Sequence, residues 1–239
     1  LRAKRWKNID RNITDASFVL SARRGQLLAS IPDERKAQAE ELIDQLTTGT
    51  AELKEIVSTK DREATYIKRQ ELLNLVTKLE ELMVVGYPFE VPAEYSSLPQ
   101  LLGRATVAIE TNKGDLQVVV DGYSAPVNAG NFVDLVKRGF YDGLDFNRAE
   151  DFYILQAGDP PGEANGFIDP KTNKYRAIPM EVLVKGDDLP VYGETLEELG
   201  RYLDQPVIPF NSYGAIALAR PGDDPNGGSS QFFFFKFDT

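Results

Sequence analysis

The 239-residue sequence predicts an α+β chain of two domains, an antiparallel helical bundle followed by a β-rich domain. Three observations carry that reading. Apolar residues recur at intervals of seven in the first 85 residues, prolines at 88, 92 and 99 interrupt the pattern, and alternation with period two begins at residue 104.

Trp6, Ile13, Leu20 and Leu27 lie seven apart, with Ile9 and Ala16 three beyond the first two. They draw one apolar seam along a helix that ends near Ile31-Pro32. Ala39, Leu42, Leu46, Leu53 and Ile56 form a second seam, with Gly49 as a weak point inside it. Leu72, Val76, Leu79 and Met83 form a third, with Leu75 and Leu82 beside them. Three amphipathic stretches with short breaks between them predict an antiparallel bundle over residues 1–85. Core packing accounts for these stripes without a cofactor.

Pro88, Pro92 and Pro99 cannot continue a helix, so residues 86–103 are a Pro-rich linker or a strap along a surface. "RATVAIET", "NKGD" and "LQVVVD" then read as strand, turn and strand. "APVNAGNFVDLVKRGF" is a short helix opening at Pro126, with Phe132, Leu135 and Val136 on one face. Further strands are expected at "LDFNRA", "FYILQAG", "VLV", "AIALA" and "QFFFF". One early helix, many strands and long loops over 104–239 fit an α+β or barrel domain better than a βαβ sheet.

Composition narrows the chemistry. There is no cysteine and no histidine, which excludes disulfides, thiolate nucleophiles, Ser-His-Asp systems and every His-containing zinc site. The net charge is −10, with the excess of acid in residues 101–239, so nucleic acid is not the expected partner. The basic N-terminal tip (Arg2, Lys4, Arg5, Lys7, Arg11) reads first as a solvated helix end. No apolar run approaches the length of a membrane span, and the first ten residues lack the apolar core of a secretory signal. The chain opens without Met, which reads as a processed or excised product. "DDPNGGSS" has neither the ending nor the setting of a phosphate loop, and Asp223, Asp224 and Asn226 do not have calcium-loop spacing.

Two segments carry more. "YDGLDFNRAEDFYILQAGDP" sets Arg148 and Gln156 among bulky apolar residues, and "AIALARPGDDPNGGSSQFFFF" ends in four phenylalanines that leave a strand no water side. Together with "SAPVNAGNFVDLVKRGFYDG", these blocks resemble the cyclophilins, the peptidyl-prolyl cis-trans isomerases, in order over residues 104–235. The resemblance implies a closed eight-stranded barrel capped by helices, with the groove on its outer surface. One face of the "QFFFF" strand then fills the interior and the other floors a proline pocket. The family continues beyond this strand, so the domain is expected to be incomplete at its C-terminal end.

Carried over by motif, Arg148 is the catalytic guanidinium and Gln156 orients it and the peptide, while Tyr153, Ile154, Leu218, Ala219 and Phe233 line the substrate groove. No cofactor and no metal are implied. Four departures from the pattern stand out: Asn147 replaces a usual His, Tyr153 a Phe and Ile154 a Met, and "AED" replaces "IPG". The last change adds Glu150 and Asp151, and a carboxylate that captured Arg148 would compete with the substrate carbonyl. Catalysis is therefore expected to persist at a modest rate.

A helical bundle ahead of such a domain is similar to the multidomain immunophilins of the thylakoid lumen and their cyanobacterial relatives. Their bundle resembles the Q-type extrinsic subunit of photosystem II. The likeness implies a thylakoid-lumen protein acting on X-Pro bonds of protein clients, photosystem II subunits among them. It implies no transmembrane segment, with a peripheral place on the thylakoid membrane as one option. The alternative is a cyclophilin-shaped chaperone or assembly factor with little turnover; a structural role as an extrinsic photosystem subunit is a third.

Overall fold

The computed structural model describes residues 3–209 and 213–236. The chain divides into two compact units, Leu1–Gly86 and Tyr87–Thr239.

Among its described residues the first unit holds four α-helices: α1 (Ala3–Ala22), α2 (Arg24–Ala29), α3 (Lys36–Thr59) and α4 (Arg62–Met83). The seven-residue repeat leads to one core of Ile13, Ile31, Ala39, Leu42, Ile43, Leu46, Leu53, Val57, Leu72 and Leu79, with Trp6, Ile9, Leu20 and Leu27 packed against it. Polar pairs give the helix directions. Thr14 meets Lys54 and Arg24 meets Asp44, so α1 and its extension α2 run antiparallel to α3. Lys68 meets Glu52 and Arg35 reaches the Val84 carbonyl, so α3 and α4 are antiparallel too.

The first helix differs from the expected single run to Ile31. It breaks at Arg23 (φ −113°, ψ 14°), beside Gly25. Ser17 and Ser21 each donate to the carbonyl four residues back (2.9 Å), a competition that bends helices just ahead of this point. Gly49, expected to be a weak point, lies inside an unbroken α3. A Cβ there would come 2.6 Å from Leu72 Cδ2, so the missing side chain is what lets α3 and α4 approach. Val76 is exposed, because the third seam follows Leu72, Leu75, Leu79 and Leu82 instead.

In the second unit, residues 87–103 lie along the domain. The Tyr87 hydroxyl donates to the Gly122 carbonyl (2.7 Å), Phe89 is buried, and Tyr95 stacks on Tyr192. The Leu101 amide donates to the Pro126 carbonyl (3.0 Å). Strands β1 (Arg104–Ile109) and β2 (Leu116–Asp121) pair antiparallel, with Arg104 opposite Asp121. Helix α5 (Pro126–Lys137) follows.

Its N-terminus is held from a distance. Ala125 offers no side-chain cap, and the Glu181 carboxylate accepts instead from the amides of Val127 (3.1 Å) and Asn128 (2.8 Å) and from Asn128 Nδ2 (3.0 Å). Burial pushes the Glu181 carboxyl above its ordinary range, although these hydrogen bonds pull the other way. The same helix carries Asp134, which pairs with Arg138 and with buried Arg176, whose guanidinium lies over the Phe167 ring. The long stretch after residue 160 is thereby tied to α5 at both ends.

The remaining strands are short: β3 (Arg148–Ala149), β4 (Ile154–Ala157), β5 (Ile168–Asp169), β6 (Lys174–Tyr175), β7 (Glu181–Val182), β8 (Val191–Tyr192), β9 (Ile216–Leu218) and β10 (Phe232–Phe235). They form a four-stranded sheet in the order β3-β4-β10-β9 and two small ribbons, β5-β6 and β7-β8. Among the described residues these ladders do not join into one closed ring. The core beneath them gathers Val107, Val118, Val120, Ala129, Phe132, Ala157 and Phe232, so the first hairpin, α5 and the four-stranded sheet share one interior.

Candidate functional site

The four-stranded sheet answers what covers the phenylalanine run. Successive strand residues face opposite sides, and residues directly opposite each other in an antiparallel pair share a side. Phe232 and Phe234 turn to the core, where Phe232 meets the rings of Phe132 (5.0 Å) and Tyr141 (5.3 Å). Phe233 and Phe235 turn to the other face.

On that outer face the register draws a row. Arg148 on β3 is opposite Gln156 on β4, Gln156 is opposite Phe233 on β10, and Phe233 is opposite Ala217 on β9. Three residues expected to act together are thus brought side by side, two from neighbouring strands in the sequence and the third from a strand far along the chain. Tyr153 directly precedes β4, half exposed, with its ring edge-on to Phe235 at 6.2 Å.

Of the other expected groove residues, Ile154 is opposite Phe235 and so shares the outer face, where it is buried at 4% exposure. Leu218 is opposite Phe232, which puts it on the core side, and Ala217 holds the place beside Phe233. Ala219 lies just past β9, its amide bonded to the Gln231 carbonyl (2.8 Å).

Gln231 is the residue that motif reasoning did not single out. Its Oε1 accepts from Gln156 Nε2 (2.7 Å), and its own Nε2 donates to Asp159 Oδ1 (3.1 Å) and the Asn165 carbonyl (3.0 Å). With its Nε2 engaged there, the acceptor of Gln156 is its Oε1. Asp159 also accepts from Asn147 (3.3 Å), so the residue in the usual His position helps to fix the same network. The backbone under it is close-packed. Gly158 has φ +96° and no room for a Cβ against the Ser230 carbonyl, while Ser230 Oγ donates back to the Gly158 carbonyl (2.7 Å). That contact ties "QAGDP" to "GSSQF".

Arg148 is not presented bare. Its Nε (2.7 Å) and Nη2 (2.5 Å) both donate to Glu150 Oε1, and the two side chains are about half exposed. The carboxylate introduced by "AED" therefore does take the guanidinium. The loop that carries it turns at Phe152, which has φ +57° and is 85% exposed, a left-handed conformation rare for an aromatic residue.

What the face can do follows from its parts. A guanidinium, an amide carbonyl and an aromatic wall can hold a planar amide and donate a hydrogen bond to it. Nothing in the row is a nucleophile or an acid.

Comparison with known proteins gives the family. Residues 106–239 match the model of the cyclophilin type peptidyl-prolyl cis-trans isomerase/CLD family. The chain belongs to the cyclophilins. Residues 1–84 match a second model, the PsbQ-like domain of CYP38-like peptidyl-prolyl cis-trans isomerases. A Synechocystis sp. protein whose provisional name is thylakoid lumen peptidyl-prolyl cis-trans isomerase sll0408 is 56% identical over 239 residues, all of this chain and 63% of that protein. The chloroplastic peptidyl-prolyl cis-trans isomerase CYP38 of Arabidopsis thaliana is 43% identical over 97% of this chain and 54% of its own length. The chain thus spans less than two thirds of either relative. Among solved structures, a Cryptosporidium parvum cyclophilin crystallised with the dipeptide Ala-Pro aligns over 56% of this chain and 70% of its own, at 22% identity and a TM-score of 0.38. Among the described residues no helix is long and apolar enough to cross a membrane.

Proposed function

We propose that this cyclophilin chain is a peptidyl-prolyl cis-trans isomerase whose groove is the outer face of the four-stranded sheet. The observation that carries the reading is the row Arg148–Gln156–Phe233, assembled by register from three strands. Arg148 and Gln156 are the catalytic pair. Phe233 floors the proline pocket, with Tyr153, Ala217 and Ala219 around it and Ile154 and Leu218 as its support.

An X-Pro bond isomerises behind a barrier of about 18–20 kcal/mol set by amide resonance. The reaction makes and breaks no covalent bond, so it suits a chain without histidine or cysteine. Rotation about the C–N bond localises the nitrogen lone pair and diminishes charge separation, and a groove that fits the twisted amide better than either planar form lowers the barrier. Arg148 donates to the proline carbonyl or to the pyramidalising nitrogen, where the hydrogen bond is strongest in the twisted state. Gln156, held by Gln231, fixes the peptide alongside it.

The four-stranded sheet and the β1–β2 hairpin belong, in this reading, to a closed eight-stranded barrel. The helical bundle occupies residues 1–85, a Pro-rich connecting segment residues 86–103, and the catalytic domain begins at 104. The thylakoid lumen is the proposed compartment, on the names of the Synechocystis and Arabidopsis relatives. Clients are X-Pro-containing proteins of the thylakoid. Photosystem II subunits are proposed among them because residues 1–84 match a PsbQ-like domain.

Titration with an Ala-Pro-Phe peptide, followed by amide resonances, tests the location. Shifts centred on Gln156, Ala217 and Phe233 are expected. Shifts confined to residues 1–86 would contradict it. The second reading, an assembly factor with little turnover, is favoured by one observation, the hold of Glu150 on Arg148.

A further inference from the structure

We propose that Glu150 is a gate on Arg148: its carboxylate occupies the guanidinium that the reaction needs, and a proline peptide must displace it to be turned over. The inference rests on the isomerase reading above and adds to it a residue that sets the rate of the site. Arg148 lies on β3 and Glu150 directly follows its last residue, and the two side chains meet there. Two donors of the Arg148 fork, Nε and Nη2, converge on a single oxygen, Glu150 Oε1.

The loop keeps the carboxylate in place by its backbone. The Glu150 amide donates to the Ile154 carbonyl (2.9 Å), while the Glu150 carbonyl accepts from the Tyr153 amide (3.3 Å) and from Lys236 Nζ (3.1 Å). Lys236 also stands 4.0 Å from Asp151, so the neighbouring acid is drawn to the lysine and Glu150 is left to the arginine. Because backbone groups hold the loop, the Glu150 side chain can be changed without undoing it.

An exposed ion pair of this kind converts to a factor of about two to five in competition for Arg148. Glu150→Gln keeps the shape and removes the charge, and is expected to raise kcat/KM on an Ala-Pro-Phe peptide by about that factor. Glu150→Ala should act in the same direction. The mechanism also predicts a salt signature. Salt screens the carboxylate–guanidinium pair more than the contact between a guanidinium and a neutral carbonyl. Activity of the parent should therefore rise from low to moderate salt, and that rise should vanish in Glu150→Gln. A merely structural glutamate would not produce this dependence.

The experiment is NMR exchange on the peptide at two salt concentrations, with peptide affinity measured on the same samples of the full 239-residue chain. A faster, salt-independent Glu150→Gln variant supports the gate. An active parent that neither variant exceeds at low salt, or a salt rise that persists in Glu150→Gln, overturns the gate and leaves the isomerase reading standing. If neither protein accelerates exchange, affinity decides. Peptide binding tightened by the same factor keeps Glu150 as a gate on binding while the isomerase reading falls; unchanged affinity overturns both.

Discussion

The helical unit and the β unit are built on opposite principles. In the first, each helix is specified by its own stretch of sequence and meets its neighbours through one apolar seam, with ion pairs such as Arg24–Asp44 and Lys68–Glu52 on the surface. In the second, the elements are two to six residues of strand and one helix, and little is specified locally. What holds it is reach: Glu181 caps a helix 54 residues earlier, Asn131 donates to the Ser229 carbonyl 98 residues on, and Gln156 is set by Gln231 75 residues away. A local design tolerates substitution at the surface and fails at the core. A long-range design also fails at single polar groups.

The largest effect should come from the helical core. Ile43 is fully buried among α3 neighbours, and Ile43→Ala should cost about 2–5 kcal/mol, read as lost amide protection along α1, α3 and α4. An intact protection pattern in those helices would break the claim that one seam holds the unit.

Next is a glycine of the β unit. Gly130 lies in α5, where alanine is ordinarily the better residue, but a Cβ there would collide with the backbone of Pro99 and Gln100. Gly130→Ala should destabilise the domain by about 1–3 kcal/mol in urea unfolding. Gain of stability would mean that the 87–103 segment is not fastened to α5.

Glu181 sharpens the comparison through pH. Its folded carboxyl is raised above 4.5 by burial, so the folded state binds the proton more tightly than the unfolded chain. Stability from this group is fully present below the unfolded value and is lost as pH rises through the folded one. The parent minus Glu181→Gln difference should therefore fall with rising pH above about 4.5, in the sense opposite to the salt-bridged Asp134 and Asp169, which are held low. A flat difference would remove Glu181 from the account.

The smallest effect is the mirror of the second. Gly25 in α2 has open space where a Cβ would go, and Gly25→Ala should stabilise the bundle by roughly 0.5–1 kcal/mol in thermal unfolding.

This contrast also explains what could be read from the sequence. The helical seams were legible because period-seven burial needs only the residues themselves, while the bend at Arg23, the role of Gly49 and the exposure of Val76 required the packed structure. In the β unit, Arg148, Gln156 and Phe233 were recognisable from ordered motifs, and the register brings them into one row. The face of Leu218 was not legible because a strand of three gives no alternation from which to read it, and pairing alone sets Ala217 beside Phe233. Gln231 was hidden at the edge of its own phenylalanine run, and its signal was the polar residue that directly precedes that run. Glu181 had no local mark at all: an acid in a loop reads as solvated surface until the helix it caps is known. The charge beside Arg148 was the reverse case, visible as "AED" and realised as the pair with Glu150.

The most direct test of the account is exchange NMR on an Ala-Pro-Phe peptide with the parent chain and Arg148→Ala, both checked for folding. The account predicts cis-trans exchange accelerated by the parent and reduced at least about tenfold in the variant, the loss of one hydrogen bond to a charged group. Equal acceleration by both proteins would contradict it, because the row on the outer face would then not be where the bond turns.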